Sequence, residues 1–580
     1  MKTLLLPLIL CCLATGLLAQ NRPFNPTSAP AAAQAHLYHP QRAGSFIDNT
    51  AFDPELRPFY HGVASGDPWQ NGVVVWTRVQ PESPADSLIE GTWLVATDTL
   101  LQQVVQNGSF QTDGGRDFTV KIEVENLSPG THYYYVFEVE GRKSLIGRTK
   151  TASSGPIDRL QFAVVSCNNY EAGYYNAFAR IAERNDLEAV IHLGDYIYEY
   201  ASGVFGDSTV ERQHDSTETV SLAEYRARYS LYRLDPDLRR VHQQHPFISI
   251  WDDHETANDA WTDGAQNHDP ATEGDWNLRK SVGKQAFYEW LPIRDRSDTT
   301  LYRVLPYGDM ADLLMLDTRL EGREQQVQSV TDPALYDSAR TLLGPVQRDW
   351  FLDELQQSTA RWKLVGNQVM FSLFHIGWAS AVATDFTPEE LESLFLDIWD
   401  GYPAERQRII QYLDSAQIDN VAFLTGDIHS SFGLDVAAKV NEPDSGYIPV
   451  PDYDPMTGNG SVAVEFVTPS ITSANFDELL GALPTALLET FFNTPQNPPL
   501  PEHAPNPHMK YVDLDRHGYV LINVFADSLQ GDWYYANQIA QPASGQSFGG
   551  GRYTRWGENF LRTAQAAIPP KPVQADPAPL

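Results

Sequence analysis

The chain has 580 residues, 42% hydrophobic, 11% aromatic and 20% charged, a globular balance that excludes a mainly disordered protein and allows more than one domain. Lys and Arg number 41 against 75 Asp and Glu, giving a formal net charge of −34. A surface that acidic repels nucleic acid and anionic membranes, which sets a DNA- or RNA-binding role aside and leaves the excess as solvation of an exported surface.

Residues 1–19 pair Lys2 with an apolar stretch and end on the small Ala19. They read as a Sec-type signal peptide, too short for a membrane span, and predict a freely exported, secreted or periplasmic protein. A lipoprotein anchor is disfavoured, because Ile9 and Leu10 rather than small residues precede Cys11. With Cys11 and Cys12 inside the signal, Cys167 is the lone thiol of the exported chain and has no internal disulfide partner. No other long apolar run follows, so no transmembrane segment is expected in the mature chain.

Residues 20–58 lack periodicity and read as an extended leader. From 59 to 152 the pattern turns to short alternating runs beginning at Gly72, Gly91, Asp117 and Thr131, separated by N-G, D-G-G and P-G breaks. This spacing predicts a small all-β sandwich. Its L-S-P-G-T-H-Y-Y-Y segment resembles the corner of fibronectin type III-like domains, where a turn delivers a tyrosine that pins the sandwich end.

From 153 to 568 the texture is α/β. Buried strands are expected at 160–165, 189–193, 247–251, 311–316, 362–366 and 421–425, and helices at 175–183, 222–231, 346–356 and 404–413, which together suggest layered α/β architecture. Residues 493–507 read as loop, and 569–580 as a poorly ordered Pro-rich tail.

Three of the buried runs end in metal-type ligands: A-V-V-S-C at Cys167, H-L-G-D-Y-I-Y with Asp195 and Tyr198, and L-T-G-D-I-H with Asp427 and His429. Ligands at strand ends sit on rigid backbone and need little further ordering. A thiolate and a phenolate, Cys167 and Tyr198, with Asp195 and His429, suit a ferric ion. Asp253 in W-D-D-H-E, Asn367 in V-G-N-Q-V and Asp427 offer only oxygen, which suits calcium, magnesium or manganese. Asp195 is a natural bridge between the two halves, so two unlike metals are expected. Against this stands the plainer reading of each Gly-Asp as a turn or helix cap and of Tyr198 as a core aromatic. His192 reads as packing, His242, His245, His268 and His375 as structural or surface histidines, and His508 is left between structure and site.

In order along the chain, Y-H-G-V-A-S-G-D-P from Tyr60, V-V-V-W-T-R, S-C-N, H-L-G-D-Y-I-Y-E-Y, W-D-D-H-E, M-L-D-T-R, V-G-N-Q-V-M, W-D-G-Y-P-A-E-R and G-D-I-H-S-S resemble the PhoD-like alkaline phosphatases, a branch of the metallophosphoesterases. The resemblance runs from about His61 to Ser431, with weaker motifs to Tyr519. It implies a metallophosphoesterase-type β-sandwich core flanked by helices, preceded by the N-terminal sandwich domain. It also implies one ferric ion held by Cys167, Asp195, Tyr198 and His429, and one or two calcium ions, the first held by Asp195, Asp253, Asn367 and Asp427, with Asp252 a candidate for the second.

The function implied is a secreted phosphatase acting on phosphomonoesters, and by extension phosphodiesters, through a metal-activated hydroxide or oxo nucleophile, for phosphate scavenging. His254 is the candidate to bond phosphate or protonate the leaving group, and Asn168 and Arg319 are candidate phosphate contacts, with an internal ion pair the alternative for Arg319. Asn168 and Asn169 stand where many members have glutamine, and no twin-arginine signal is present. The competing readings are a phospholipase D-type phosphodiesterase acting on lipid headgroups, and an adhesion protein carrying an inactive enzyme domain.

Overall fold

The computed structural model describes residues 52–81, 88–207, 209–295, 300–381, 384–495, 502–572 and 575–579. The expected signal segment and nearly all of the leader lie outside them. Among the described residues no helix is long and apolar enough to cross a membrane.

The N-terminal runs become β1 (Val63–Trp69), β2 (Gly72–Arg78), β3 (Leu88–Ala96), β4 (Val104–Asp113), β5 (Thr119–Glu125), β6 (His132–Val139), β7 (Arg142–Lys143) and β8 (Gly147–Lys150). One sheet runs β4-β3-β6-β7, with β8 also paired to β6. Facing it are β1, β2 and β5, and Val63, Val73, Val75, Val120 and Val124 meet Val95, Phe110, Tyr135 and Phe137 in a shared core. The tyrosine delivered by the P-G turn is Tyr133, whose hydroxyl accepts the Ser128 N–H at 2.8 Å.

This sandwich shares a layer with the rest of the molecule. After it come three parallel strands, β9 (Arg159–Val165), β10 (Ala189–His192) and β11 (Pro246–Ser249). β1 lies parallel to β11, with Ser65 opposite Pro246. Consequently β2 is buried on both faces: Val73 and Val75 point into the sandwich, and Trp76 into the main core.

A second sheet is built from β12 (Arg303–Tyr307), β13 (Ala311–Met315), β14 (Trp362–Asn367), β15 (Val421–Thr425) and β16 (Ser431–Ala437). After a short ladder of β17 (Asn441–Glu442) with β18 (Ile448–Pro449), β19 (Ser461–Val467) and β20 (Met509–Asp513) complete it in the order β12-β13-β14-β15-β19-β16-β20. The chain then returns to the first sheet through β21 (Gly518–Phe525), β22 (Ser528–Ala536), β23 (Gln546–Arg555) and β24 (Arg562–Thr563). That sheet has ten strands ordered β24-β23-β22-β21-β9-β10-β11-β1-β2-β5.

The period of two in each strand decides which layer a residue joins. In the second sheet Leu313, Met315, Leu364, Ala422 and Leu424 face the first sheet and pack with Phe162, Val164 and Val190. Their neighbours Leu314, Leu316, Val365, Val421 and Phe423 face outward, onto the helices that cover this sheet. Helices cover both outer faces. α1 (Asn176–Ala182), α2 (Leu222–Arg233), α3 (Pro236–Gln244) and α4 (Trp276–Trp290) lie on the first sheet, while α5 (Gly344–Gln357), α6 (Pro403–Ser415), α7 (Phe476–Leu480) and α8 (Ala482–Phe492) lie on the second. Caps fix the starts: Ser221 and Glu224 form a reciprocal capping box on α2, and Asp235 accepts two backbone N–H groups ahead of Pro236 on α3.

The tail departs from expectation. Its described residues, 569–572 and 575–579, are stitched to the body: Asp576 O accepts the Tyr134 hydroxyl at 2.5 Å, and Ala578 N donates to Gln244 Oε1 at 2.9 Å. Lys571 Nζ donates to the buried Glu188 at 2.7 Å, beside Lys150 at 2.7 Å. Composition conceals this because proline-rich chain satisfies its carbonyls by accepting from partners far away in sequence. Just ahead of the expected loop at 493–507 the chain forms α7 and α8, which were not anticipated.

Candidate metal centre

Three parallel strands of the first sheet and one of the second deliver their C-terminal ends to one place. Cys167 follows β9, Asp195 follows β10, Asp253 follows β11, and Asp427 and His429 follow β15. Cys167, Asp195, Asp427 and His429 all have φ between +57° and +63°, the left-handed region that costs a non-glycine residue about 1–3 kcal/mol. Strain at four residues past three strand ends turns these side chains inward together. Gly194 permits it: its φ is +107°, and a Cβ there would lie 2.4 Å from the Asp252 backbone N. Glu255 ties two of the loops by accepting N–H groups from Asp195 at 3.1 Å, Tyr196 at 2.8 Å and Asp252 at 2.9 Å.

Potential ligand atoms of Cys167, Asp195 and His429 lie within 4.8 Å of one another, as do those of Asp252, Asp253 and Asp427, and those of Asp195, Asp253 and His254. Tyr198 joins the first group through its hydroxyl, 2.9 Å from Asp195 Oδ2 and 3.3 Å from His429 Nε2. His429 Nδ1 is 2.8 Å from Ala474 O, so it carries the proton, and burial holds the ring neutral with a pKa of about 4. The Nε2 lone pair is thereby turned to the centre, the orientation a metal-ligating imidazole needs.

Burial, and after it the charge of Asp195, pushes the Cys167 thiol and the Tyr198 phenol well up, while burial is also the main reason the carboxyl of Asp195 is raised. Asp427 is raised to about 7, again chiefly by burial. Such a crowd of anionic groups takes up protons unless a polyvalent cation replaces them. Asp195 Oδ1 and Asp252 Oδ2 are buried with no hydrogen-bond partner, which fits the same need. The donor set therefore fits a soft, anionic metal position beside an oxygen-rich one.

Two of the expected phosphate contacts are turned elsewhere, and so is one expected ligand. Asn168 is fully buried: its Oδ1 holds His192 Nε2 at 2.7 Å and its Nδ2 donates to Tyr196 O at 2.9 Å, whereas Asn169 lines the cavity. Arg319, also fully buried, donates to Asp252 at 2.5 Å, Asp397 at 2.7 Å and Asp427 at 2.9 Å, so the internal ion pair, rather than a free phosphate contact, is what its geometry gives. Asn367 spends its Oδ1 on the Trp399 indole N–H at 3.0 Å and its Nδ2 on Val369 O at 2.5 Å, and is not among the residues that line the cavity.

His254 stacks on Tyr198 with ring centres 4.2 Å apart, and its Nδ1 is 2.7 Å from the buried carboxylate of Glu199. Burial alone would lower its pKa, but Asp253, Glu199 and Asp195 outweigh burial and raise it well above the usual histidine range. Asp253 moves the opposite way. Burial opposes its ionisation, yet Arg319, His254 and the Asp259 N–H hold it at about 2. His242, His245 and His508 are core residues; His508 bonds Leu373 O at 2.7 Å, away from the centre.

Glu199, Glu255, Asp397 and Ser473, whose hydroxyl donates to Tyr198 at 2.6 Å, escaped assignment from sequence. Glu199 and Glu255 do lie inside the motifs H-L-G-D-Y-I-Y-E-Y and W-D-D-H-E. Asp397 sits two residues ahead of Trp399, and nothing local marks it.

Asp195, Tyr198, Asp253, His254, Asp427 and His429 line the floor of a cavity of about 1060 Å³. Its walls carry Tyr200, Phe205, Trp261, Phe386, Phe395 and Phe476, and no lysine or arginine lines it among the described residues.

The family model for PhoD-like phosphatase matches residues 162–533, and that for the PhoD-like phosphatase N-terminal domain matches residues 46–153. Alkaline phosphatase D of Bacillus subtilis (strain 168) is 31% identical over 520 residues, covering 87% of this chain and 82% of that protein. The solved structure of PhoD superimposes with a TM-score of 0.73 at 29% identity, over 88% of this chain and 93% of that one.

Proposed function

Because this chain belongs to the PhoD-like phosphatase family and is a phosphoric ester hydrolase, we propose that it cleaves phosphomonoesters and phosphodiesters at a two-metal centre between its two sheets. The observation that carries this reading is the convergence of Cys167, Asp195, Tyr198 and His429 beside Asp253 and Asp427 on one cavity floor. Cys167, Asp195, Tyr198 and His429 would hold a ferric ion, and Asp253 and Asp427, with Asp195 shared and Asp252 beside them, a calcium ion; the bound pair would supply Lewis acidity to phosphate and water.

The chain's own residues do the rest. Glu199 fixes His254 at Nδ1 and leaves Nε2–H free at the cavity to donate to a phosphate oxygen or to the departing alkoxide. Asp253 stays ionised and oriented by two backbone N–H groups, those of His254 at 2.9 Å and Asp259 at 2.6 Å. Arg319 holds Asp252, Asp397 and Asp427 in register, acting as a positioning residue. The aromatic walls exclude water from the floor and receive the organic part of the ester.

Phosphodiester cleavage is favoured alongside monoester cleavage by cavity size, since about 1060 Å³ is well beyond what one phosphate fills. Export and phosphate scavenging remain part of the proposal on the strength of the N-terminal sequence. The test is a panel of p-nitrophenyl phosphate, bis(p-nitrophenyl) phosphate and phosphatidylcholine vesicles, with wild type and Asp195→Asn. Release from the first two, lost in the variant, is expected. Hydrolysis of vesicles alone would replace this reading with the lipid-headgroup one, and no turnover of any ester by metal-replete wild type would overturn it.

A further inference from the structure

Some distance along the chain from the catalytic ligands, β20 ends at Asp513 and the following turn carries Asp515. Ligand oxygens of these two and of Glu489 on α8 lie within 4.8 Å of one another. Three carboxylates alone would be an ordinary acidic surface. Asp513, however, is 4% exposed, and while Arg516 takes its Oδ2, its Oδ1 is buried with no hydrogen-bond partner. An unsatisfied buried carboxylate oxygen costs about 1–3 kcal/mol or more and calls for a partner. Asp477 Oδ1, on α7 nearby in the same corner, is likewise buried without one.

We propose that Glu489, Asp513 and Asp515 form a structural calcium site that fastens the α7–α8 hairpin to the second sheet. Oxygen-only donors drawn from a helix, a strand end and an exposed turn suit calcium, whose coordination is flexible and accepts waters on the open side, where Asp515 is exposed. Arg516 neutralises only part of the charge and is itself partly exposed, stacked on Tyr535 at 4.0 Å.

The consequence reaches the cavity. Glu489 Oε1 already accepts the Leu514 N–H at 2.6 Å, and Phe476 N donates to Leu514 O at 3.2 Å, so the strand turn and the hairpin share one hinge. Phe476 and Leu479 on α7 form part of the cavity wall. Calcium here would hold that wall in place without touching substrate.

The experiment compares calcium bound per chain, by equilibrium dialysis with radioactive calcium, in wild type and in the double variant Glu489→Gln/Asp515→Asn, with cleavage within 476–495 by a protease followed in both. The variant is expected to bind one calcium fewer per chain. Calcium should slow hairpin cleavage at least tenfold in wild type and leave the variant unaffected, while p-nitrophenyl phosphate turnover in saturating calcium stays within about twofold. Equal calcium stoichiometry in the two proteins overturns the site, whatever the activity. Should the double variant misfold, the exposed Asp515→Asn alone serves, with at least a tenfold weaker affinity for one calcium expected and unchanged affinity contradicting the proposal.

Discussion

His254 spends Nδ1 on Glu199 and keeps Nε2 at the cavity, so its removal separates proton donation from metal binding. His254→Ala is expected to lower kcat/KM roughly 10²–10⁴-fold while bound metal is unchanged. Steady-state kinetics beside elemental analysis checks this, and loss of metal in parallel would make His254 a ligand instead. Gly194→Ala should do the reverse of a mild substitution. The new Cβ would meet the Asp252 backbone N at 2.4 Å in a left-handed conformation, so the loop bearing Asp195 must shift. Calorimetry should show a clear fall in Tm, and activity should drop with it.

At the level of elements, the strands that carry ligands were legible because a run such as V-A-F-L-T admits one reading when both faces are buried; it is β15 with the expected bounds. The helices at 222, 346 and 404 announced themselves through a 3.6-residue period; of the three only α2 also has a side-chain cap, from Ser221. β22 and β23 were not legible. Their sequences S-L-Q-G-D-W-Y-Y-A and Q-S-F-G-G-G-R-Y-T-R look like turns, and the glycines are there for contact: a Cβ on Gly549 would lie 2.1 Å from the Tyr535 ring. The same limit applied in the site. Asp195, Tyr198, Asp253, Asp427 and His429 reach the cavity floor, with Cys167 buried beside Asp195 and His429, because strand ends converge. Asn168, Arg319 and Asn367 are claimed by His192, four aspartates and Trp399, partners that no local pattern names. Nor does the alternating pattern of β1, β2 and β5 reveal that they extend the ten-stranded sheet. Expression of residues 153–580 alone should therefore give an aggregating protein, since β11 loses β1 and presents a bare edge. A soluble, monomeric and active fragment by size-exclusion chromatography would contradict that.

Across the whole molecule, Glu188 joins three regions: Lys150 of the N-terminal sandwich and Lys571 of the tail both reach it in a buried setting. Burial opposes the charge on Glu188, but the two lysines outweigh it and hold the pKa below the ordinary 4.5. A lowered folded-state pKa contributes stability that is present above about pH 4.5 and is lost as pH falls through the lowered value. Glu188→Gln should cost about 3–5 kcal/mol at neutral pH, because two buried ammonium groups lose their counter-charge, and thermal melts across pH 3–7 should show less of that acid-linked loss. The acidic cavity predicts a further bias: with no lysine or arginine lining it among the described residues, ATP should be a poorer substrate by kcat/KM than p-nitrophenyl phosphate. The most direct measurement of the central claim is elemental analysis with visible absorption of the purified protein, read against p-nitrophenyl phosphate turnover before and after EGTA and an iron chelator. About one iron per chain is expected, with an iron–phenolate band that Tyr198→Phe abolishes, calcium alongside it, and activity that follows both; full activity in protein free of both metals would contradict a two-metal centre.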